Sequence, residues 1–239
     1  AHGHVNVTLP VVHELVSRGH EVLYYCGEEM RDTIEKTGAI YKLCPDVLPT
    51  SKDISEKAHN LVNISMMLVE ASQTLIPYVV SEIEKEKPDV VIYDVVNLWA
   101  RIATLITGTP SIATFPVAIL DGVKGIFYIR TLLYVMATSI PRLPRLLWQH
   151  SKLTRQVGKD VWRPPLFPSR GQLNLVFLSR EFQMDTPFID DSFHFVGASI
   201  NPELRTDAPL HLPDDGKPLV YVSLGTVNNT NLDFYRTVM

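Results

Sequence analysis

The chain has 239 residues, enough for one large domain or for one domain and part of a second, and its 46% hydrophobic and 20% charged content is that of a globular protein with a core. A net charge of −4 without a basic run leaves no footprint for nucleic acid. The two cysteines, Cys26 and Cys44, match neither a metal spacing nor a disulfide framework, so a reducing cytoplasm is the expected compartment.

The chain opens AHGHVNVTLPVVHELVSRGHEV. Leu9, Val12, Leu15 and Val16 recur at helical spacing, which predicts one helix over residues 5–18 with Gly19 as its stop. EVLYYC reads as a short strand, residues 28–36 as a second helix and residues 39–43 as a second strand. A long helical pattern covers residues 54–85, with Pro77 as the expected kink. DVVIYD is a continuous apolar run between polar ends, the pattern of a strand buried on both faces. A helix over residues 99–106, stopped by Gly108, leads to a further buried strand, PSIATF. Residues 122–163 read as mostly helical, and NLVFLS and FHFVG add two late strands. The stretch from 125 to 148 is the most membrane-like, but Arg130 interrupts it and Pro141 and Pro144 break it, leaving less than the roughly 20 apolar residues that span a bilayer. A buried or pocket-lining helix is favoured there, with a membrane-surface role as the alternative.

Alternating β and α units with apolar strands give an α/β fold, a Rossmann-like parallel sheet wrapped by helices. It is expected over residues 1–199, followed by a Pro- and Asp-rich linker at 200–217 and the opening of a second unit at 218–239, with KPLVYV as a new strand. The chain begins at what should be a helix entrance and stops at a helix start, so it reads as a fragment that lacks its first strand.

Ligands of such sheets bind beyond the carboxyl ends of the strands. Three stretches fall there: AHGH, YDVVN and SLGTVNN. At the mouth of a helix starting near residue 5, His4 would meet the positive end of the dipole, which favours a neutral imidazole able to take a proton. Gly3 would let the backbone turn and a ligand approach. The competing reading is a solvated histidine at a chain end. Asp94, ending a buried strand, could fix the tautomer of that ring, or it could simply cap the next helix. Ser223, Gly225 and Thr226 could offer hydroxyls and amides to a diphosphate, although SLGT matches neither a P-loop nor a GxGxxG pattern. Met66, Met67 and Leu68 suit a core as well as a pocket, and no carboxylate pair has the spacing of a metal clamp.

HGHVN with the following helix and RGHEV, then DVVIYD, then VYVSLGT after a proline-rich linker, resemble the UDP-dependent glycosyltransferases, above all the bacterial macrolide and natural-product branch. The resemblance covers essentially the whole chain in the right order. It implies the N-terminal half of a two-domain GT-B type fold, with His4 as catalytic base, Asp94 as its partner, and Ser223, Gly225 and Thr226 beside the phosphates of a UDP-sugar. It implies an inverting transfer without metal or other cofactor. A small hydrophobic acceptor of flavonoid, polyketide or macrolide type would meet Gly3, Met66, Phe115, Pro116 and Ile126. Two departures stand out: Val7 where the family usually has proline, and the lack of the family's His-x-Gly-x-x-Ser-x-x-Glu donor segment. The 239 residues alone are therefore expected to be inactive. The alternatives are a lipid-directed glycosyltransferase at a membrane face and a non-catalytic module that binds small apolar molecules.

Overall fold

The computed structural model describes residues 2–50, 53, 57, 60–119, 137–158, 170–204, 216–224 and 232–238. The chain runs α1 (His2–Asn6), α2 (Leu9–Ser17), β1 (Leu23–Cys26), a 3-10 turn and α3 (Arg31–Glu35), β2 (Ile40–Leu43), then the long α4 (Leu61–Glu86). It continues β3 (Val91–Asp94), α5 (Leu98–Thr107), β4 (Ser111–Phe115), α6 (Leu143–Val157), β5 (Leu173–Val176), β6 (Phe193–Phe195) and α7 (Leu232–Val238).

All strand pairing is parallel, but it falls into two sheets, β1-β2 and β3-β4-β5-β6. The Val22 and Cys26 carbonyls accept from β2 and its flank, so by strand alternation Leu23 and Tyr25 turn their main-chain groups the other way. Likewise the Val91 and Val95 amides donate to the β4 side, which leaves those of Val90, Ile92 and Asp94 on the opposite edge. No described strand pairs with either free edge. Strand β3 is accordingly less buried than its apolar run predicts: Tyr93 is in the core, but Ile92 is exposed.

Each sheet has its own apolar core. Val5, Leu9, Val12, Met30, Ile34 and Ala39 pack beside β1 and β2. The larger core joins β3–β6 to α4, α5 and α6 through residues such as Leu75, Leu98, Ile102, Phe115, Leu153 and Val176. By length and composition α4 is the one described helix that could cross a membrane, yet Leu68, Val69, Leu75 and Ile76 bury it in this core.

Helix α4 also ties the two sheets together. Its middle lies in the larger core, while its last turns reach the smaller sheet: Tyr25 donates to Glu82 at 2.9 Å, Lys42 pairs with Glu86 at 3.4 Å, and Tyr78 donates to the Leu43 carbonyl at 3.3 Å. Asn60 starts the helix by accepting the amides of Val62 and Asn63 on Oδ1. Pro77 sits inside it and has no amide to offer the Gln73 carbonyl one turn back. Gln156 of α6 supplies the replacement, donating from Nε2 to that carbonyl at 2.8 Å.

Two expectations change. The single opening helix is split, because the Thr8 amide and hydroxyl both bond back to the Val5 carbonyl and make a turn before α2. Residues 218–224 form no strand: Leu219, Val220 and Tyr221 stand exposed, and no strand among the described residues lies beside this apolar run to pair with it. Of the helical stretch expected over residues 122–163, residues 122–136 and 159–163 lie outside the described residues, and α6 falls in the remainder.

Replacing Gln156 with Ala should cost about 0.5–1.5 kcal/mol, and this cost should largely vanish in a Pro77→Ala background, as a double-mutant cycle by chemical denaturation would measure. A second prediction concerns Asp190, before β6. Hydrogen bonds from Ser192 and the Arg170 guanidinium hold its carboxyl down from the ordinary 3.8 to about 2. A depressed folded-state value stabilises the fold above the ordinary one, and this stability is lost as pH falls from about 4 towards 2. Asp190→Asn should flatten that part of a melting-temperature profile.

Candidate active site at the carboxyl end of the sheets

Asp94 is the last residue of β3, at the carboxyl end where the loops after β3, β4 and β5 gather. Its two oxygens do different work. Oδ1 accepts the Val96 amide at 2.9 Å, which fixes the carboxylate in the turn leading to α5. Oδ2 lies 2.7 Å from Nδ1 of His4. One oxygen thus serves the local turn and the other meets the ring, while the residue before the helix is Asn97 and not Asp94.

With Asp94 ionised, His4 donates from Nδ1, and Nε2 is left with its lone pair pointing away from the carboxylate. The side chain of His4 is 31% exposed and that of Asp94 13%, so the ring can meet a ligand while its partner is sheltered. Such a partly solvated pair contributes little to stability, and its value lies in holding the ring.

The helix-dipole expectation for His4 is not met. His4 is the third residue of α1, not the residue before it, so its orientation comes from Asp94. Gly3 is helical and without positive φ, so it does not make the expected turn.

Behind the pair, Tyr24 of β1 donates to the Thr8 hydroxyl at 2.7 Å, since the Thr8 proton is engaged with the Val5 carbonyl. Burial pushes the Tyr24 phenol pKa up, and the Asp94 charge pushes it the same way, so this phenol stays protonated beside the site. Across the sheet end, buried Gln183 clamps the loop after β4, accepting the Ile119 amide and donating to its carbonyl, both at 2.8 Å. Neither Tyr24 nor Gln183 stood out in the sequence. The adjacency of Thr8 to the HGHVN block was a usable signal, whereas nothing marked Gln183.

The other candidates are scattered. Phe115 is buried against Phe193, ring centroids 5.5 Å apart, and so belongs to the core rather than to a pocket wall. Met66 and Pro116 are half-buried, and Ser223 is exposed. Ile126, Gly225 and Thr226 lie outside the described residues. No three His, Cys, Asp or Glu side chains cluster as a metal site among the described residues.

No protein-family model matches the chain. It is 29% identical over 256 residues to demethyllactenocin mycarosyltransferase of Streptomyces fradiae, covering 99% of this chain and 53% of that protein. It is 25% identical over 241 residues to the NDP-glycosyltransferase YjiC of Bacillus licheniformis, covering 98% and 58%. Oleandomycin glycosyltransferase of Streptomyces antibioticus is 27% identical, with 99% and 55% covered. The fold matches the solved glycotransferase of kitacinnamycin at a TM-score of 0.77 and 23% identity, over all of this chain and 59% of that one. It matches the calicheamicin glycosyltransferase CalG4 at 0.60, over 84% and 50%. The chain therefore spans about half the length of the curated relatives it matches, and the fold is that of half a GT-B glycosyltransferase.

Nitrogen-15 spectra of the neutral His4 ring should find the proton on Nδ1, and Asp94→Asn should shift it towards Nε2. A wild-type ring protonated at Nε2 would contradict the geometry.

Proposed function

We propose that this chain, a relative of the nucleotide-sugar glycosyltransferases that act on macrolides and other natural products, is the acceptor-binding part of an inverting sugar transferase. The observation that carries this reading is the His4–Asp94 contact at the carboxyl end of a parallel sheet, in a chain similar to such enzymes along its whole length. A small hydrophobic alcohol or phenol, of flavonoid, polyketide or macrolide type, is the acceptor. The donor is a nucleoside diphosphate sugar, and we take a UDP-sugar as its form.

The chemistry is a single displacement. Nε2 of His4 takes the proton of the acceptor hydroxyl as its oxygen bonds to the anomeric carbon. The bond from that carbon to the diphosphate oxygen breaks, and the nucleoside diphosphate leaves with the electron pair. Asp94 holds the ring in the accepting tautomer and stabilises the imidazolium that forms. Ser223, Gly225 and Thr226 would face the departing phosphates, where amides and hydroxyls offset the developing charge. No further cofactor is required by this step.

In a protein carrying a complete donor site, His4→Ala should lower kcat/KM by about 10²–10⁴ while acceptor affinity changes little. Asp94→Asn should fall in the same direction. Mass spectrometry of a phenolic acceptor offered a UDP-sugar reads the product, and an undiminished rate for His4→Ala would refute the assignment. The 239 residues alone should bind the phenol without releasing UDP.

A further inference from the structure

Helix α6 has one side in the core and one side that no described element covers. Gln149 and Leu153 are buried. On the opposite side Leu147 is 65% and Trp148 58% exposed, with Leu143 one turn before them and Ile140 just ahead of the helix also exposed. At 100° per residue, Leu143 and Leu147 form one line and Trp148 stands beside it. Arg145, Lys152 and Arg155 flank the tryptophan, and Arg142 precedes the helix.

These four cations have no carboxylate partner among the described residues. Arg142 donates to the Thr138 carbonyl, Arg155 reaches the Ser151 carbonyl and hydroxyl, and Lys152 stands 5.8 Å from the Trp148 ring centre. No Asp or Glu occurs anywhere in residues 140–158, in a chain whose net charge is −4. A single exposed leucine needs no explanation. Exposed tryptophan and leucine ringed by cations with no described carboxylate partner are different, because such a surface suits a phase with an apolar interior and an anionic skin.

We propose that the outer face of α6 docks on an anionic lipid surface, with Leu147 and Trp148 entering the headgroup region and Arg142, Arg145, Lys152 and Arg155 meeting lipid phosphates. Cations alone would suit any acidic macromolecule equally well. The apolar pair at their centre is what favours lipid. The helix lies along the surface and does not span it, since its other side remains in the protein core.

The test is co-sedimentation of the 239-residue chain with vesicles of phosphatidylglycerol and phosphatidylcholine in equal parts, against phosphatidylcholine alone. The mixed vesicles should bind roughly tenfold more tightly or better, with the preference shrinking in high salt. Tryptophan emission should shift to the blue on binding, and Trp148→Phe should remove that shift. Arg145→Glu with Lys152→Glu, and separately Leu147→Ser with Trp148→Ser, should each weaken sedimentation without changing the melting temperature. Equal binding to both vesicle types, or unchanged binding by both double variants, would overturn the proposal. So would retention on heparin without any sedimentation, which would assign the face to an acidic macromolecule instead.

Discussion

The site depends on one contact made between two bodies. His4 belongs to the small unit built on β1 and β2, and Asp94 ends a strand of the four-stranded sheet. These sheets share no described strand pairing, so the 2.7 Å separation is only as fixed as the framework that sets their relative positions. Helix α4 provides that framework. Its buried middle is part of the larger core, and its polar last turns grip Tyr25, Lys42 and the Leu43 carbonyl of the smaller sheet. On the proposed reading a proton acceptor must be held to a fraction of an ångström, and here apolar burial at one end of a helix and polar contacts at the other would do the holding.

Seen this way, the side-chain repair at Pro77 bears on the site as well as on the helix. Without the Gln156 bond, the Gln73 carbonyl would lack a protein partner midway along the element that spans both sheets. The Asp94 turn and the Gln183 clamp act more locally, shaping the loops after β3 and β4 on which a ligand would rest. The polar groups named here bond mostly to main chain rather than to one another. That arrangement defines loop positions while leaving the His4 ring open to a ligand.

Much of this was legible in the sequence. Strands β1 to β6 and helices α2 to α6 follow from apolar period and turn residues, because those signals are local. His4 and Asp94, 90 residues apart, could be paired in advance only because parallel strand ends converge and because HGHVN and DVVIYD resemble a known pattern. Part of what could not be read was set by partners distant in sequence. Phe115 looked like a pocket residue at a strand end until Phe193 covered it. Residues 218–224 had the composition of a strand but no neighbouring strand among the described residues. The split at Thr8 hides in the periodicity, since Val5, Leu9 and Val12 keep their phase across the turn and all three are buried. Similarity to known glycosyltransferases agrees with the local reading and extends it to the fold, over about half of each relative's length.

No described strand covers the edges of β1 and β3, and this has a colloidal consequence. Each presents main-chain donors and acceptors in the parallel register, flanked by partly exposed apolar side chains such as Ile92. An edge of this kind accepts any extended backbone that reaches it, including one from another copy of the same chain. Solutions of the chain should therefore become less uniform as they are concentrated, with strand-exchanged pairs competing against single molecules, and storage history would then become a variable of the preparation.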